Sequence, residues 1–272
     1  MSNNPLKNYF RKPVLTVKLP SKGQGYKTGT IELPESGELP IYPMTAIDEI
    51  NARTPENLTN GKVLINLITS CVPNIKDPWE IPSIDLDTIL LGIRIATSGK
   101  TLGIESSCPS CEQLNNHTIE LFDIIKGIGN GNYDDPLNMN GLSIKFKPLN
   151  YRQIINANEI QQTIQKKIEK LELLETDEER VSLSAEIVRE LNHVSVLLVG
   201  ESIEYVKTPD SIVFEKEFIQ EFLENCDKES FDKIKDRNIE LRTETEIKPL
   251  QLKCTHCSHE YEFILDVNAN TI

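Results

Sequence analysis

Two short cysteine pairs, far apart in the sequence, constrain the fold of this 272-residue chain more than any other feature. Cys108-Pro-Ser-Cys111 lies near the middle of the chain, and Cys254-Thr-His-Cys257 lies near its carboxyl end. On both sides of each pair, apolar residues recur at every second position, which predicts a strand, a cysteine turn and a second strand. Two such hairpins can turn four thiolates toward one ion and form a closed tetrahedral zinc site, as in a zinc ribbon.

The predicted cofactor is therefore a structural Zn²⁺, and its predicted ligands are Cys108, Cys111, Cys254 and Cys257. A structural zinc ion orders both hairpins at once. In isolated zinc fingers, metal binding contributes roughly 10–16 kcal/mol to folding. Here the ion would connect two hairpins that are separated by about half of the chain.

Other interpretations of the cysteine pairs stay open at this stage. Disulfides need an oxidising compartment, and no apolar secretory signal begins the sequence. A thioredoxin-like redox motif needs a strand followed by a helix, whereas both pairs here lie between predicted strands. The matching flanks could also be a coincidence between reduced thiols.

Other histidines and cysteines add two further expectations. His256 or His259, which flank the second pair, could replace one thiolate. Cys71 and Cys226 lie in predicted helices without a partner motif, so we expect them to be buried free thiols.

The charge distribution disfavours a nucleic-acid partner. The net charge is −13, and residues 101–121 contain no lysine or arginine. Residues 151–246 carry 23 acidic and 13 basic side chains. Zinc ribbons that bind nucleic acid present basic side chains to phosphate, and neither hairpin here is basic.

The sequence also lacks the motifs of several other function classes. No apolar run is long enough to cross a membrane, so we expect no membrane partner and synthesis in the cytoplasm. There is no His-Glu-x-x-His, no Gly-x-Ser-x-Gly and no phosphate-binding loop. We therefore expect neither enzymatic activity nor a small-molecule substrate.

The patterns predict an α+β fold in which a four-cysteine zinc ribbon, made of two sequence-distant hairpins, joins a helical body and a long helical insertion. The predicted parts are an extended arm with short strands (1–43), a helical region (44–100), the two zinc-ribbon hairpins that form one unit (101–125 and 247–268), a loop and strand (126–150) and an acidic helical insertion (151–246).

Within these parts, several elements are predicted individually. The strand candidates are residues 14–19, 29–33 and 141–147. Thr45 and Asp48 have the spacing of a capping box. Helices are predicted over 60–72 and 86–98, and Asp85 is the predicted N-cap of the second. Two apolar stripes predict an antiparallel helical hairpin in the insertion: Ala157, Ile160, Ile164, Ile168 and Leu171, then Ile187, Leu191, Val194 and Leu198. Further helices are predicted over 214–223 and 231–241.

The arm is too broken by proline and glycine to bury a core of its own. We expect it to be ordered by contact with the helical body or with a neighbouring protein, and we expect the chain to fold without residues 1–30.

Several local phrases, in this order, resemble a known family. They are Leu19-Pro-Ser-Lys-Gly23, the segment from Leu39 to Glu49 (LPIYPMTAIDE), Ile104-Glu-Ser-Ser-Cys-Pro-Ser-Cys111, Ile144-Lys-Phe-Lys-Pro-Leu149 and the late cysteine pair. Over roughly residues 14–267, the chain resembles the baseplate hub subunit and hub assembly proteins of contractile-tailed phages of the T-even type.

The resemblance implies a structural or assembly role without enzymatic activity. Its partners would be other phage tail baseplate proteins. The protein would be made in the host bacterial cytoplasm and located in the virion, at the tail baseplate. Two alternatives remain, a zinc-ribbon regulator of transcription and an assembly chaperone that is absent from the mature virion.

Overall fold

The structure, a computed structural model, describes residues 4–52, 61–174 and 176–267. The predicted mixture of helices and sheets is confirmed. The chain divides into two compact units: a first unit of residues 1–130 and 245–272, and a second unit of residues 131–244. No helix in the described ranges is both long and apolar enough to cross a membrane.

The elements are the following, in chain order. The strands are β1 (Leu15–Lys18), β2 (Glu38–Ile41), β3 (Thr101–Ser107), β4 (Leu114–Glu120), β5 (Leu137–Met139), β6 (Leu142–Phe146), β7 (Ile203–Lys207), β8 (Ile212–Val213), β9 (Leu250–Lys253) and β10 (Glu260–Phe263). The α-helices are α1 (Ala46–Ala52), α2 (Lys62–Cys71), α3 (Ser83–Ser98), α4 (Leu121–Gly127), α5 (Tyr151–Glu172), α6 (Asp177–Ser202), α7 (Lys216–Asn225) and α8 (Lys228–Thr245). The pairs β1–β2, β3–β4 and β9–β10 are antiparallel two-stranded sheets, and β5-β6-β7-β8 is a four-stranded antiparallel sheet.

In the first unit, the β1–β2 pair packs directly on α2 and α3. The buried side chains are Val17, Leu39 and Ile41 of the strands and Leu19 directly after β1. Gly92 of α3 permits the close approach, because a Cβ at this position would lie 3.1 Å from Cγ1 of Val17 and 3.4 Å from Cγ1 of Ile41. The strand residues of the predicted arm therefore contribute to the core together with the helices.

The start of α3 differs from the prediction. Asp85 is not its N-cap, because the helix begins at Ser83 and the carboxylate of Asp85 is fully buried. That carboxylate accepts hydrogen bonds from the backbone N–H of Ser21, at 2.8 Å, and from the Ser21 hydroxyl. Burial raises the pKa of Asp85 to about 6, although the bonds from Ser21 act in the opposite direction. The polar side chain thus fastens the loop after β1 to α3.

Two local predictions at the start of the chain have opposite outcomes. The capping box of α1 is confirmed, with Thr45 N to Asp48 Oδ2 at 2.8 Å and Asp48 N to Thr45 Oγ1 at 3.2 Å. The strand predicted over 29–33 is wrong, because within the described part of the chain this segment forms an isolated bridge, from Ile31 to Ile75, and no strand. The second strand lies instead at β2, where Pro40 is tolerated because the strand is at the edge of its sheet.

In the second unit, α5 and α6 form the predicted helical hairpin. Its apolar contact consists of Ile160, Ile164, Ile168, Leu171, Leu183, Ile187, Val194 and Leu198. One assignment is wrong, because Leu191 is exposed and Leu183 contributes to the contact instead. Across the two helices, Lys167 pairs with Glu186 and Glu190.

The segment predicted as purely helical also contains β7 and β8. Residues of β6 and β7 pack against α7 and α8 in one core, formed by Ile144, Phe146, Val199, Ile203, Val206, Ile219, Leu223, Ile234 and Leu241. Lys216 closes the carboxyl end of α6. Its Nζ donates to the backbone carbonyls of Gly200, Glu201 and Ile203 at 2.8, 3.2 and 2.6 Å.

Candidate metal centre

The two cysteine turns have matching backbone geometry. The N–H of Glu112 donates to the carbonyl of Cys108 at 2.9 Å, and the N–H of Ser258 donates to the carbonyl of Cys254 at 3.0 Å. Glu112 and Ser258, each directly after a cysteine pair, have positive φ angles of 58° and 60°. This left-handed conformation is unusual for residues other than glycine, and its presence in both turns marks them as two copies of one local structure.

The four predicted cysteines lie together. All four Sγ atoms are within 4.8 Å of one another. Cys108 and Cys257 are 3.7 Å apart between sulfurs, and so are Cys111 and Cys254. A zinc–sulfur bond of about 2.3 Å places sulfurs about 3.8 Å apart at the corners of a tetrahedron, so the group fits such an ion. A disulfide needs about 2.05 Å, and the structure describes all four cysteines as free.

Backbone donors point at the first sulfur of each pair. The N–H of Ser110 lies 3.4 Å from Sγ of Cys108, and the N–H of His256 lies 3.4 Å from Sγ of Cys254. The backbone N–H of Cys257 lowers the pKa of the Cys254 thiol to about 6; burial opposes this effect, and the N–H of His256 adds to it. Because the thiolate is the form that binds metal, these donors favour Cys254 as a ligand. At Cys111, a hydrogen bond from the backbone N–H of Gln113 lowers the pKa, but burial and the three neighbouring cysteines raise it overall.

A buried asparagine connects the two hairpins beside the cysteines. Oδ1 of Asn115 accepts hydrogen bonds from both the backbone N–H and the hydroxyl of Thr255, each at 2.8 Å. Its Nδ2 donates to the carbonyl of Gln113 at 2.8 Å. Sequence reasoning missed Asn115, since an asparagine in a strand belongs to no metal motif.

A tyrosine makes a second contact between the hairpins. The hydroxyl of Tyr261 on β10 is 2.8 Å from Oγ of Ser106 on β3 and 3.3 Å from Nε2 of His117 on β4. Apolar side chains from both hairpins surround the cysteines: Ile104, Leu250, Leu252 and Phe263. The apolar residues at every second position predicted these strands, but this pattern does not show which side chains of the two hairpins contact each other.

The remaining candidate residues are placed as follows. His256 and His259 are exposed, and the ligand group found among the described residues contains four cysteines and no histidine. Cys71 is a buried free thiol, as predicted, and burial raises its pKa to about 11. Cys226 is free but only partly buried, so the expectation of full burial is wrong for it.

Comparison with known protein families gives a match over most of the chain. Residues 12–270 match the model of a family described as "T4 bacteriophage base plate protein". The match includes all four cysteines of the candidate centre and extends over both compact units. Neither the curated proteins nor the solved structures match the chain.

Proposed function

The chain belongs to the T4 bacteriophage base plate protein family and has a structural role in the phage tail baseplate, and from that premise we propose that it is a hub subunit or hub assembly protein organised by one zinc ion. The ligands would be Cys108, Cys111, Cys254 and Cys257, in a zinc-ribbon arrangement of β3–β4 and β9–β10. Zinc would supply a rigid link between these hairpins.

The observation that carries the zinc proposal is the position of the four sulfurs. Four thiolates complete a tetrahedron and leave no coordination position for water or substrate. Such a closed centre is structural, which agrees with a protein that is not an enzyme and has no small-molecule substrate. Asn115 and Tyr261 would hold the two ligand pairs at the correct separation before the ion binds.

We further propose that the protein acts through contacts with other tail baseplate proteins. The net charge of −13 disfavours contact with DNA and with anionic lipid, so neither nucleic acid nor membrane is a partner. Synthesis in the host cytoplasm would be followed by incorporation into the tail baseplate of the virion.

Metal analysis of the purified protein tests the centre. We expect one zinc per chain, and after zinc removal we expect four additional thiols to react with a thiol reagent. Cys108→Ser should lose the metal, while Cys226→Ser, a matched change of a cysteine outside the group, should keep it. Protein without zinc in which all four thiols react freely would contradict the proposal.

Mass spectrometry of purified phage particles separates a structural subunit from an assembly chaperone. We expect peptides of this chain in the particle at constant stoichiometry to other baseplate proteins. Their absence from particles, together with their presence in infected cells, would favour the chaperone. Retardation of DNA by micromolar protein that weakens with salt would instead favour a transcription regulator.

A further inference from the structure

The beginning of the chain differs in charge from the rest of the protein. Six basic residues and no acidic residue precede Glu32, although the whole chain carries −13. Residues 4–14, here called the amino-terminal segment, also expose large apolar side chains. Leu6 is 62% exposed and Tyr9 is 85% exposed, and Phe10 and Val14 are exposed as well. A basic segment with exposed aromatic side chains is typical of a contact surface.

Arg11 fixes this segment to the first unit. Its Nη2 donates to the carbonyl and to the hydroxyl of Ser70, both at 2.7 Å. Its Nη1 lies 3.2 Å from Oδ2 of Asp48 and donates to the carbonyl of Pro43. The preceding residues, which form a short 3₁₀ helix over Pro5–Tyr9, therefore project from a fixed point. A segment held in this way loses less conformational freedom on binding than a free tail.

The second unit carries a surface of complementary character. We call it the aromatic patch, and it consists of Tyr205, Ile212, Phe214 and Phe218. Phe214 is 58% exposed and Phe218 is 60% exposed, and the rings of Tyr205 and Phe214 lie 5.5 Å apart. Residues 201–227, which contain the patch, carry eight acidic and two basic side chains. Of the two basic side chains, Lys216 is directed at backbone carbonyls, whereas Lys207 is exposed and lies opposite Ile212 in the β7–β8 pair.

We propose that the amino-terminal segment of one copy of this chain docks on the aromatic patch of a second copy. Basic charge would meet acidic charge, and the exposed rings of Tyr9 and Phe10 would pack on those of Phe214 and Phe218.

This contact has a defined consequence for assembly. The two surfaces are different, so the interface is heterologous, and repeated head-to-tail contacts generate a ring or a filament. The inference goes beyond the proposed function, and it does not depend on the zinc centre.

Sedimentation velocity of the full-length protein tests the contact directly. We expect oligomers at about 50 mM salt and dissociation at about 500 mM, because screening weakens contacts between exposed charges. Tyr9→Ser combined with Phe10→Ser should give a monomer, and so should Phe218→Ser. Leu173→Ser, which alters an exposed leucine outside both surfaces, should assemble like the unmodified chain.

The most specific test mixes the Tyr9→Ser, Phe10→Ser variant with the Phe218→Ser variant. Each retains the surface that the other has lost, so the mixture should form a 1:1 dimer that grows no further. Lys7→Glu with Lys12→Glu should also give a monomer, and adding Glu217→Lys and Glu221→Lys in the same chain should restore assembly. Circular dichroism and zinc content, measured on every variant, verify that each is folded.

Several outcomes would overturn the proposal. They are a monomeric unmodified chain at low salt, undiminished assembly of the Tyr9 and Phe10 variant, and a mixture that gives no dimer. Binding of the segment to a single-stranded oligonucleotide or to anionic vesicles by a chain that stays monomeric would count equally against it. A zinc-loaded monomer contradicts only the docking, while an oligomer without zinc contradicts only the proposed centre.

Discussion

The paired cysteine hairpins and the α5–α6 helical hairpin join their parts in opposite ways. The cysteine hairpins bring β3–β4 against β9–β10, which come from distant parts of the sequence, and the apolar contact around their sulfurs is small. The helical hairpin joins two consecutive helices through apolar stripes that run along both. A two-stranded hairpin is at best marginally stable alone, so the first region needs an additional link, whereas the second obtains its stability from burial.

The two regions differ in the conformational entropy that the chain loses when their parts come together. Bringing distant segments together loses more conformational freedom than closing a short turn between helices. In the cysteine hairpins, Asn115 and Tyr261 offset a part of this loss, and the proposed ion would offset much more. Metal removal and core truncation should therefore affect the two regions separately.

The largest expected effect is the loss of a cysteine ligand. Cys254→Ser should remove zinc, and with it most of a coupled folding free energy that is roughly 10–16 kcal/mol in small zinc domains. Hydrogen exchange should show the amides of β3, β4, β9 and β10 losing protection, while those of α5 and α6 stay protected. Equal loss of protection in both regions would show that the hairpins are not a separate cooperative element.

The reciprocal change is a truncation in the helical hairpin. Ile164 is buried between α5 and α6, so Ile164→Ala should lower the free energy of unfolding by about 2–5 kcal/mol and leave the zinc content unchanged. Val188 on the exposed side of α6 provides the control, and Val188→Ala should change stability by less than about 0.5 kcal/mol. Denaturant unfolding of the three proteins measures both values.

The same contrast explains what the sequence could predict. The helical hairpin was predictable because its 3.6-residue periodicity is local, and the four cysteines were predictable because each pair is a local motif. Leu191 was assigned to the wrong face because Glu190 and Leu191 occupy neighbouring positions near the edge of the stripe, and the carboxylate there pairs with Lys167. Periodicity alone does not reveal such an ion pair.

Non-local contacts account for the other errors. The sequence around Asp85 is typical of an N-cap, but the carboxylate of Asp85 instead accepts a hydrogen bond from Ser21, which lies in the loop after β1. The strands β7 and β8 are short and flanked by charged residues, and they form only because β6 pairs with β7. The sequence-based expectation that the chain folds without residues 1–30 is revised for the same reason: Val17 and Leu19 are buried in the core of the first unit, so we now expect this deletion to disrupt that core.

A smaller effect is expected at the end of α6. Lys216→Met keeps the apolar stem but removes three hydrogen bonds to backbone carbonyls, and we expect a loss of about 1.5–3 kcal/mol. Burial lowers the pKa of Lys216 to about 8 from 10.5, with repulsion from Lys147 adding to the effect.

The pH dependence gives this prediction a second readout. The folded protein releases the Lys216 proton at lower pH than the unfolded chain does, so this group makes stability rise with pH between about 8 and 10.5. Lys216→Met should remove that rise, while Lys147→Met should leave most of it in place. Unfolding curves from pH 7 to 10.5 measure the difference, and identical pH profiles for Lys216→Met and the unmodified protein would contradict it.

The smallest effect concerns the left-handed residues after the cysteine pairs. For a side chain with a Cβ, this conformation costs roughly 1–2 kcal/mol, whereas glycine adopts it freely. Glycine also gives the unfolded chain more freedom, which offsets about 0.4–1 kcal/mol of the gain. Ser258→Gly and Glu112→Gly should therefore each stabilise the cysteine hairpins by about 0.5–1 kcal/mol, and Ser258→Ala should not. The gain should appear in the hydrogen exchange of β9 and β10, or of β3 and β4, and be absent from α5 and α6. Because the two turns share one geometry, a gain at one position without a gain at the other would show that their surroundings, rather than the backbone angle, decide the energy.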